Sequence, residues 1–169
     1  MRSLLSLLLS LILCCVFTLS YALPTMALVR QQEEAPGQML YQSRHTLKDD
    51  NRQTWQLVLF KRVKKNVLES INLRLVGFPG VANFTHPDNL ILKTKDGKTF
   101  IAPDSFAEES PSPNVGQYDI APIISELPAN QSVELILPLE SASRRIQVPY
   151  PIVLEWQTLA QEVEKSSQF

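Results

Sequence analysis

Thr54-Trp55-Gln56-Leu57-Val58-Leu59-Phe60-Lys61-Arg62-Val63 decides the fold. In an extended chain Trp55, Leu57 and Leu59 share one face and Val58 and Phe60 the other, so the run is apolar on both sides and rich in strand-forming residues. Just before it stands Asp49-Asp50-Asn51-Arg52, a polar turn in which Asp and Asn tolerate the left-handed region and bond their own backbone. Before that, Met39 to Lys48 alternates more weakly, with Leu40, Gln42, Arg44 and Thr46 opposite Met39, Tyr41 and His45. Two such runs across a tight turn predict an antiparallel hairpin.

The pattern repeats outward from the hairpin. Ser70 to Phe78 points Ile71, Leu73 and Leu75 one way and Asn72 and Arg74 the other, and ends in the bend Gly77-Phe78-Pro79-Gly80. Leu90 to Lys95 and Lys98 to Ala102 flank Asp96-Gly97, a dipeptide that predicts a type I′ hairpin turn. Pro103 to Pro113 reads as irregular, with one helical turn over Ser105 to Glu109 capped by Asp104 or Ser105, and a second short helix fits Ile120 to Leu127. Val133 to Leu139, Arg145 to Val148 and Ile152 to Leu159 complete the strands; in the last of these Ile152, Leu154 and Trp156 share a face. About eight short strands without a long amphipathic helix need two packed sheets or a closed barrel to bury their apolar faces. The expectation is an all-β antiparallel β-sandwich, with a barrel as the alternative and one or two short helical turns.

The composition fits one domain. The chain has 169 residues, 16 Lys plus Arg against 17 Asp plus Glu, and a net charge of -1. Such a balance carries no electrostatic footprint for duplex nucleic acid. Twelve prolines against five glycines suit strand ends and stiff loops. At the N-terminus, Arg2 is followed by an apolar core from Leu4 to Leu19 and by the small-x-small sites Ser20-Tyr21-Ala22 and Thr25-Met26-Ala27, the pattern of a secretory signal peptide. A core of about 16 residues is short of the roughly 20 needed to span a bilayer, so cleavage is expected, favoured after Ala27, with no stable membrane anchor afterwards. Leu13 before Cys14 is not the small residue that lipid modification wants. Residues 1–27 then form the signal, 28–37 a flexible lead-in around Gln31-Gln32-Glu33-Glu34 and Pro36-Gly37, 38–159 the sandwich, and 160–169 a polar tail. Both cysteines leave with the signal, which excludes a thiol nucleophile or cysteine metal site in the mature chain, and the charge becomes -2 on losing Arg2.

Little here suggests catalysis. His45 and His86 are the only histidines, and neither has the neighbours of a three- or four-ligand metal site. Asp104, Glu108, Glu109 and Asp119 lack the alternating Asp/Asn spacing of a calcium loop and read better as a solvated acidic loop than as a hydrolytic pair. No Gly-x-Ser-x-Gly elbow and no phosphate loop occur. No cofactor and no catalytic residue are therefore expected. Candidate binding residues fall in two places. Lys61, Arg62, Lys64 and Lys65 form a basic cluster that could steer an acidic partner or lipid headgroup, beside the plainer reading of a solvated strand end. Phe78 and Phe84, in a loop with two glycines and a proline, are aromatic anchors if exposed and core plugs if not. A second loop, Phe106 to Tyr118, brings Asn114 and Tyr118 beside them. Asn83-Phe84-Thr85 and Asn130-Gln131-Ser132 match the glycosylation pattern, which is common by chance.

Four segments together resemble a family of exported cyanobacterial proteins classed as a domain of unknown function: Thr54 to Lys61, Ile71 to Gly80, Phe106-Ala107-Glu108-Glu109 with Pro113 to Asp119, and Val153-Leu154-Glu155-Trp156. The resemblance spans roughly Leu40 to Gln157 and brings no catalytic residues with it. It implies a photosynthetic bacterium, hence the periplasm or thylakoid lumen, and a photosynthetic membrane complex as protein partner. The functional expectation is a non-enzymatic binding or assembly module. The alternatives are a small-ligand or glycan-binding domain using Phe78, Phe84 and Tyr118, and a hydrolase using Asp104, Glu108 or Asp119 with His86.

Overall fold

The computed structural model describes residues 29–106, 110–128 and 130–161. The signal segment with both cysteines, most of the helical turn expected at Ser105 to Glu109, and the end of the polar tail lie outside them. Among the described residues nine strands form two antiparallel sheets. They are β1 (Arg30–Ala35), β2 (Gln38–Lys48), β3 (Thr54–Lys64), β4 (Val67–Val76), β5 (Leu90–Thr94), β6 (Thr99–Ala102), β7 (Val115–Asp119), β8 (Val133–Leu137) and β9 (Arg144–Val148). One sheet has the order β1-β2-β3-β4-β7, the other β6-β5-β8-β9. A 3-10 turn (Ile124–Glu126) and one α-helix, α1 (Tyr150–Gln161), complete the fold.

The inner faces follow the period of two. Trp55, Leu57 and Leu59 of β3 pack with Leu73 and Leu75 of β4, with Leu90 and Leu92 of β5 and with Leu135 and Leu137 of β8 in one core. Each such side chain taken from water contributes about 1.5–3 kcal/mol. The hairpin of β2 and β3 forms as expected, in register from Gln38 opposite Lys64 to Lys48 opposite Thr54. Its turn is held by Asp49, whose Oδ1 accepts from the backbone N–H of Asn51 and of Gln53 at 2.9 and 2.8 Å. The residue that takes the left-handed conformation there is Arg52, at φ +65°.

The two sheets remain a sandwich, stitched at both edges by single bridges. Asp49 pairs with Ile146 in β9, and Asp104 beyond β6 pairs with Tyr118 of β7. The sheets do not close into a continuous barrel.

Several local expectations are corrected. The lead-in contains strand β1, paired with β2 and bulged between Glu33 and Ala35. All six of its residues are exposed, so it carries no apolar alternation. Val115 to Asp119, expected in a loop, is strand β7 on the edge of the five-stranded sheet. At Asp96-Gly97 only Gly97 has positive φ, and the Thr94 N–H donates to the Lys98 carbonyl. The connection is thus a three-residue loop closed by a left-handed glycine and not the two-residue type I′ turn. Ile152 to Leu159 is helix. Its alternation is also compatible with a period near 3.6, and the buried set Val153, Trp156, Gln157 and Leu159 follows the helical one. Pro151 sits in the first turn, where a missing N–H costs nothing.

Candidate functional site

The structure divides the sequence-predicted residues between interior and surface. Lys61 is the sharpest change. As part of a run of cations it is expected at the surface, yet the parity of β3 places it on the inner face beside Leu59 and Val63, only 2% exposed. Its amine donates to the carbonyls of Leu159 and Ala160 at the C-terminal turn of α1. A cation there donates to carbonyls of the last described turn and lies at the negative end of the helix dipole. Arg62 faces the other way, with Lys64 and Lys65 exposed at the strand end and Lys65 in the turn at φ +49°. The basic cluster is therefore split by the strand itself.

The aromatic anchors also separate. Phe84 and Tyr118 are buried at 3% and 0% exposure, 6.3 Å apart, with Trp55 edge-on to Phe84 at 5.8 Å. They are core plugs, closely fitted: a Cβ on Gly116 would lie 2.7 Å from Tyr118 Oη and 2.8 Å from Phe84 Cε1. Asn114 is buried too, donating to the Gly77 carbonyl at 2.8 Å and accepting from Ser112. It pins the two loops together instead of facing a ligand. Of the expected ring contacts only Phe78 is on the surface, 68% exposed, with Val81 beside it in the same bend.

The acid–base candidates meet in part. His86 Nδ1 lies 2.5 Å from Asp104 Oδ2, with both side chains largely buried, and Asp104 Oδ1 accepts from the Phe106 N–H at 2.9 Å. Phe84 and Phe106 flank the imidazole. Asp119 is spent on its own chain, accepting from the Ala121 N–H at 3.0 Å. Glu108 lies outside the described residues. Burial, with the charges of Asp104 and Asp88 adding to it, pushes the Tyr118 hydroxyl well above the usual phenol range. Among the described residues no group of three or more His, Cys, Asp and Glu is placed to hold a metal ion, and no helix is long and apolar enough to cross a membrane.

The open feature is elsewhere, on the outer face of the five-stranded sheet. Register sets Arg44 of β2, Val58 of β3, Arg74 of β4 and Gln117 of β7 in one row across four strands. The next row contains Arg30, Gln42, Phe60 and Asn72, and the one after it Leu40 and Arg62. Leu40, Val58 and Phe60 form a small apolar cluster of their own, buried under arginine stems. The Arg62 and Arg74 guanidinium carbons lie 5.0 and 5.3 Å from the Phe60 ring centroid, in cation–π range. These residues line a groove of about 250 Å³, rimmed by Glu34, Gln56 and Val76. A second hollow of about 430 Å³ shares Gln42 and Arg44 with it and runs to Arg30 and the His45–Glu155 pair, 3.0 Å apart.

The groove's charges are unevenly matched. Arg62 donates from Nε and Nη2 to the two carboxylate oxygens of Glu34, at 2.9 and 3.3 Å. That bond holds the Glu34 carboxyl below its ordinary value, Arg62's charge and the Gln38 amide adding to it and burial opposing it. Among the described residues Arg74 donates only to the neutral Gln117 Oε1, at 3.0 and 2.6 Å, and Arg44 only to the neutral Gln42 Oε1. Burial, then the charges of Arg62 and Arg44, pulls the Arg74 guanidinium below its ordinary value. Sequence alternation puts Arg44 and Arg74 on outward faces but carries no register, so it does not show that 30 residues of separation collapse into one row.

Fold and groove define a small antiparallel sandwich domain with a cationic, aromatic-floored outer face. The chain belongs to the family described as a protein of unknown function, DUF3122, whose model matches residues 27–159. No curated protein and no solved structure matches it.

Proposed function

We propose that the protein is an exported, non-enzymatic binding or assembly module that docks a protein partner through the outer face of its five-stranded sheet. The observation that carries this reading is the groove over Leu40, Val58 and Phe60, where three arginines stand around an apolar floor with one carboxylate among them. Interfaces are anchored at such places, where arginine and aromatic side chains combine. The signal-like N-terminus supports export to the periplasm or thylakoid lumen, and the family resemblance supports a photosynthetic membrane complex as the partner. Against the hydrolase, Asp119 is committed to the backbone and the His86–Asp104 pair is enclosed by rings. Against a glycan site on three rings, Phe84 and Tyr118 are core residues. A photo-crosslinking residue placed at Gln42 in the groove, in living cells, should give a discrete protein adduct, and the same residue at Lys95, in the β5–β6 loop of the other sheet, should not. Equal labelling at both positions, or none at Gln42, would sink the reading.

A further inference from the structure

The chemistry of the groove narrows the class of partner, and this narrowing rests on the docking reading. Three guanidinium groups, Arg44, Arg62 and Arg74, face one carboxylate, Glu34, which leaves two positive charges without a counter-charge among the described residues of the groove. The Nη1 nitrogens of all three arginines have no hydrogen-bond partner among the described residues. Arg44 and Arg74 stand on either side of Val58 in one row, so at about 4.8 Å per strand their backbones are roughly 10 Å apart. A single carboxylate seated over Val58 lies within the span of the two arginine arms and competes for them with the neutral oxygens of Gln42 and Gln117. The chain itself displays how such a group is held: Glu34 takes Arg62 through both oxygens, the fork-on-fork geometry that suits guanidinium to a planar carboxylate.

We propose that Arg44 and Arg74 form a carboxylate-binding site over Val58 that receives an acidic side chain of a partner protein, with Arg62 held in reserve by Glu34. The partner segment is acidic and carries an apolar neighbour for the floor at Phe60. The apolar floor of Leu40, Val58 and Phe60 and the fork geometry of the arginines favour a carboxylate side chain with an apolar neighbour.

A fluorescein-labelled hexaglutamate peptide, titrated with the full-length chain at low salt and read by anisotropy, tests this. Saturable binding is expected, with none by hexaglutamine. Arg44→Gln/Arg74→Gln weakens it at least tenfold. Lys93→Gln/Lys95→Gln, which removes the same charge from exposed positions in β5 and the loop after it, changes it less than twofold. Glu34→Gln strengthens it several-fold by releasing Arg62, an effect that a merely structural arginine cluster would not give. Circular dichroism checks that each variant keeps its strands. If the double arginine variant does not fold, the single Arg44→Gln, whose arm bonds only Gln42, carries the comparison. Equal weakening by the arginine and lysine pairs, no saturation by the unaltered chain, or arginine-dependent binding to phosphatidylglycerol vesicles in place of the peptide overturns the proposal. A failed peptide alongside a persisting Gln42 crosslink removes the carboxylate chemistry alone. A lost crosslink alongside peptide binding removes the docking reading alone.

Discussion

Lys61 is a cation spent on architecture. Its neighbours Phe60 and Arg62 lie on the outer face of the sheet and it faces the sandwich, so a single strand step decides between a docking residue and a helix cap. Its bonds to the Leu159 and Ala160 carbonyls tie β3 to the end of α1. Lys61→Met keeps the stem and removes the donors, and should cost about 1–3 kcal/mol, read as a lower denaturation midpoint with faster amide exchange in the last turn of α1. Wild-type exchange in that turn would refute the capping role. At Gly116 the argument is steric. Any Cβ meets Tyr118 and Phe84 within 2.9 Å, and both rings are hemmed in by the core. Gly116→Ala should therefore destabilise by about 1–3 kcal/mol, the usual range for overpacking, measured by urea denaturation. Tyr118 adds a pH dependence. Its folded pKa is raised above the unfolded phenol value of about 10, so the folded state holds its proton more tightly. Stability is then unaffected by this group below about pH 10 and falls as pH rises beyond it, because the unfolded chain ionises first. Tyr118→Phe should abolish that alkaline loss; an unchanged stability profile in that alkaline range would refute it.

At the scale of elements, β1 is the least secured part of the sheet. It buries nothing, and its side-chain ties are polar: Glu34 with Arg62 and Gln38, Gln31 with Tyr41. The Glu34 pKa is depressed from 4.5 in the fold, so its contribution is present above that ordinary value and lost as pH falls through the lower folded value. Both partners are substantially exposed, and the pair is worth at most about 1 kcal/mol. Amide exchange in β1 should accelerate between about pH 7 and pH 3, relative to its intrinsic rate, more than exchange in β3; parallel behaviour of the two strands would contradict this. The same lack of apolar residues makes β1 illegible in the sequence, whereas β3, apolar on both faces, is plain. Strand β7 is hidden for another reason: Val115-Gly116-Gln117-Tyr118-Asp119 buries a glycine and a glutamine, residues with no hydrophobic signal. The helix α1 reads as a strand because Ile152, Leu154 and Trp156 satisfy period two, although Val153, Trp156 and Leu159 fit a helical period as well and Pro151 suits a helix start. The groove is half legible. Arg44 and Arg74 stand on polar phases and Arg62 shares one with Val58 and Phe60, but only strand pairing places the three together.

For the whole molecule, the decisive feature is how two open sheets are kept in register without closing. One edge is joined near Asp104 and Tyr118, the other at Asp49 and Ile146. Asp49 is the more concentrated of the two. Its carboxylate is fully enclosed; Oδ1 accepts two turn N–H groups, Oδ2 accepts Trp55 Nε1 at 3.0 Å, and Arg144 of β9 approaches to 3.9 Å. One side chain thus closes the β2–β3 turn, orients the core tryptophan and draws β9 toward β2. Asp49→Ala leaves three donors without their acceptor in or near the core, which should cost about 3 kcal/mol in sum, a fall of roughly 6–12 °C in midpoint for a chain of this size. The loss should be local as well as global. Amide exchange should rise at the β2–β3 turn and along β9, while β7, behind the opposite edge, exchanges as before. Uniform acceleration in both edges would mean that the sandwich responds as one unit and that Asp49 is an ordinary buried acid, not the clasp of one edge. Because Arg44 sits on β2 only five residues from Asp49, loosening that edge should also disturb one arm of the groove, so the variant's hexaglutamate affinity should drop along with its stability.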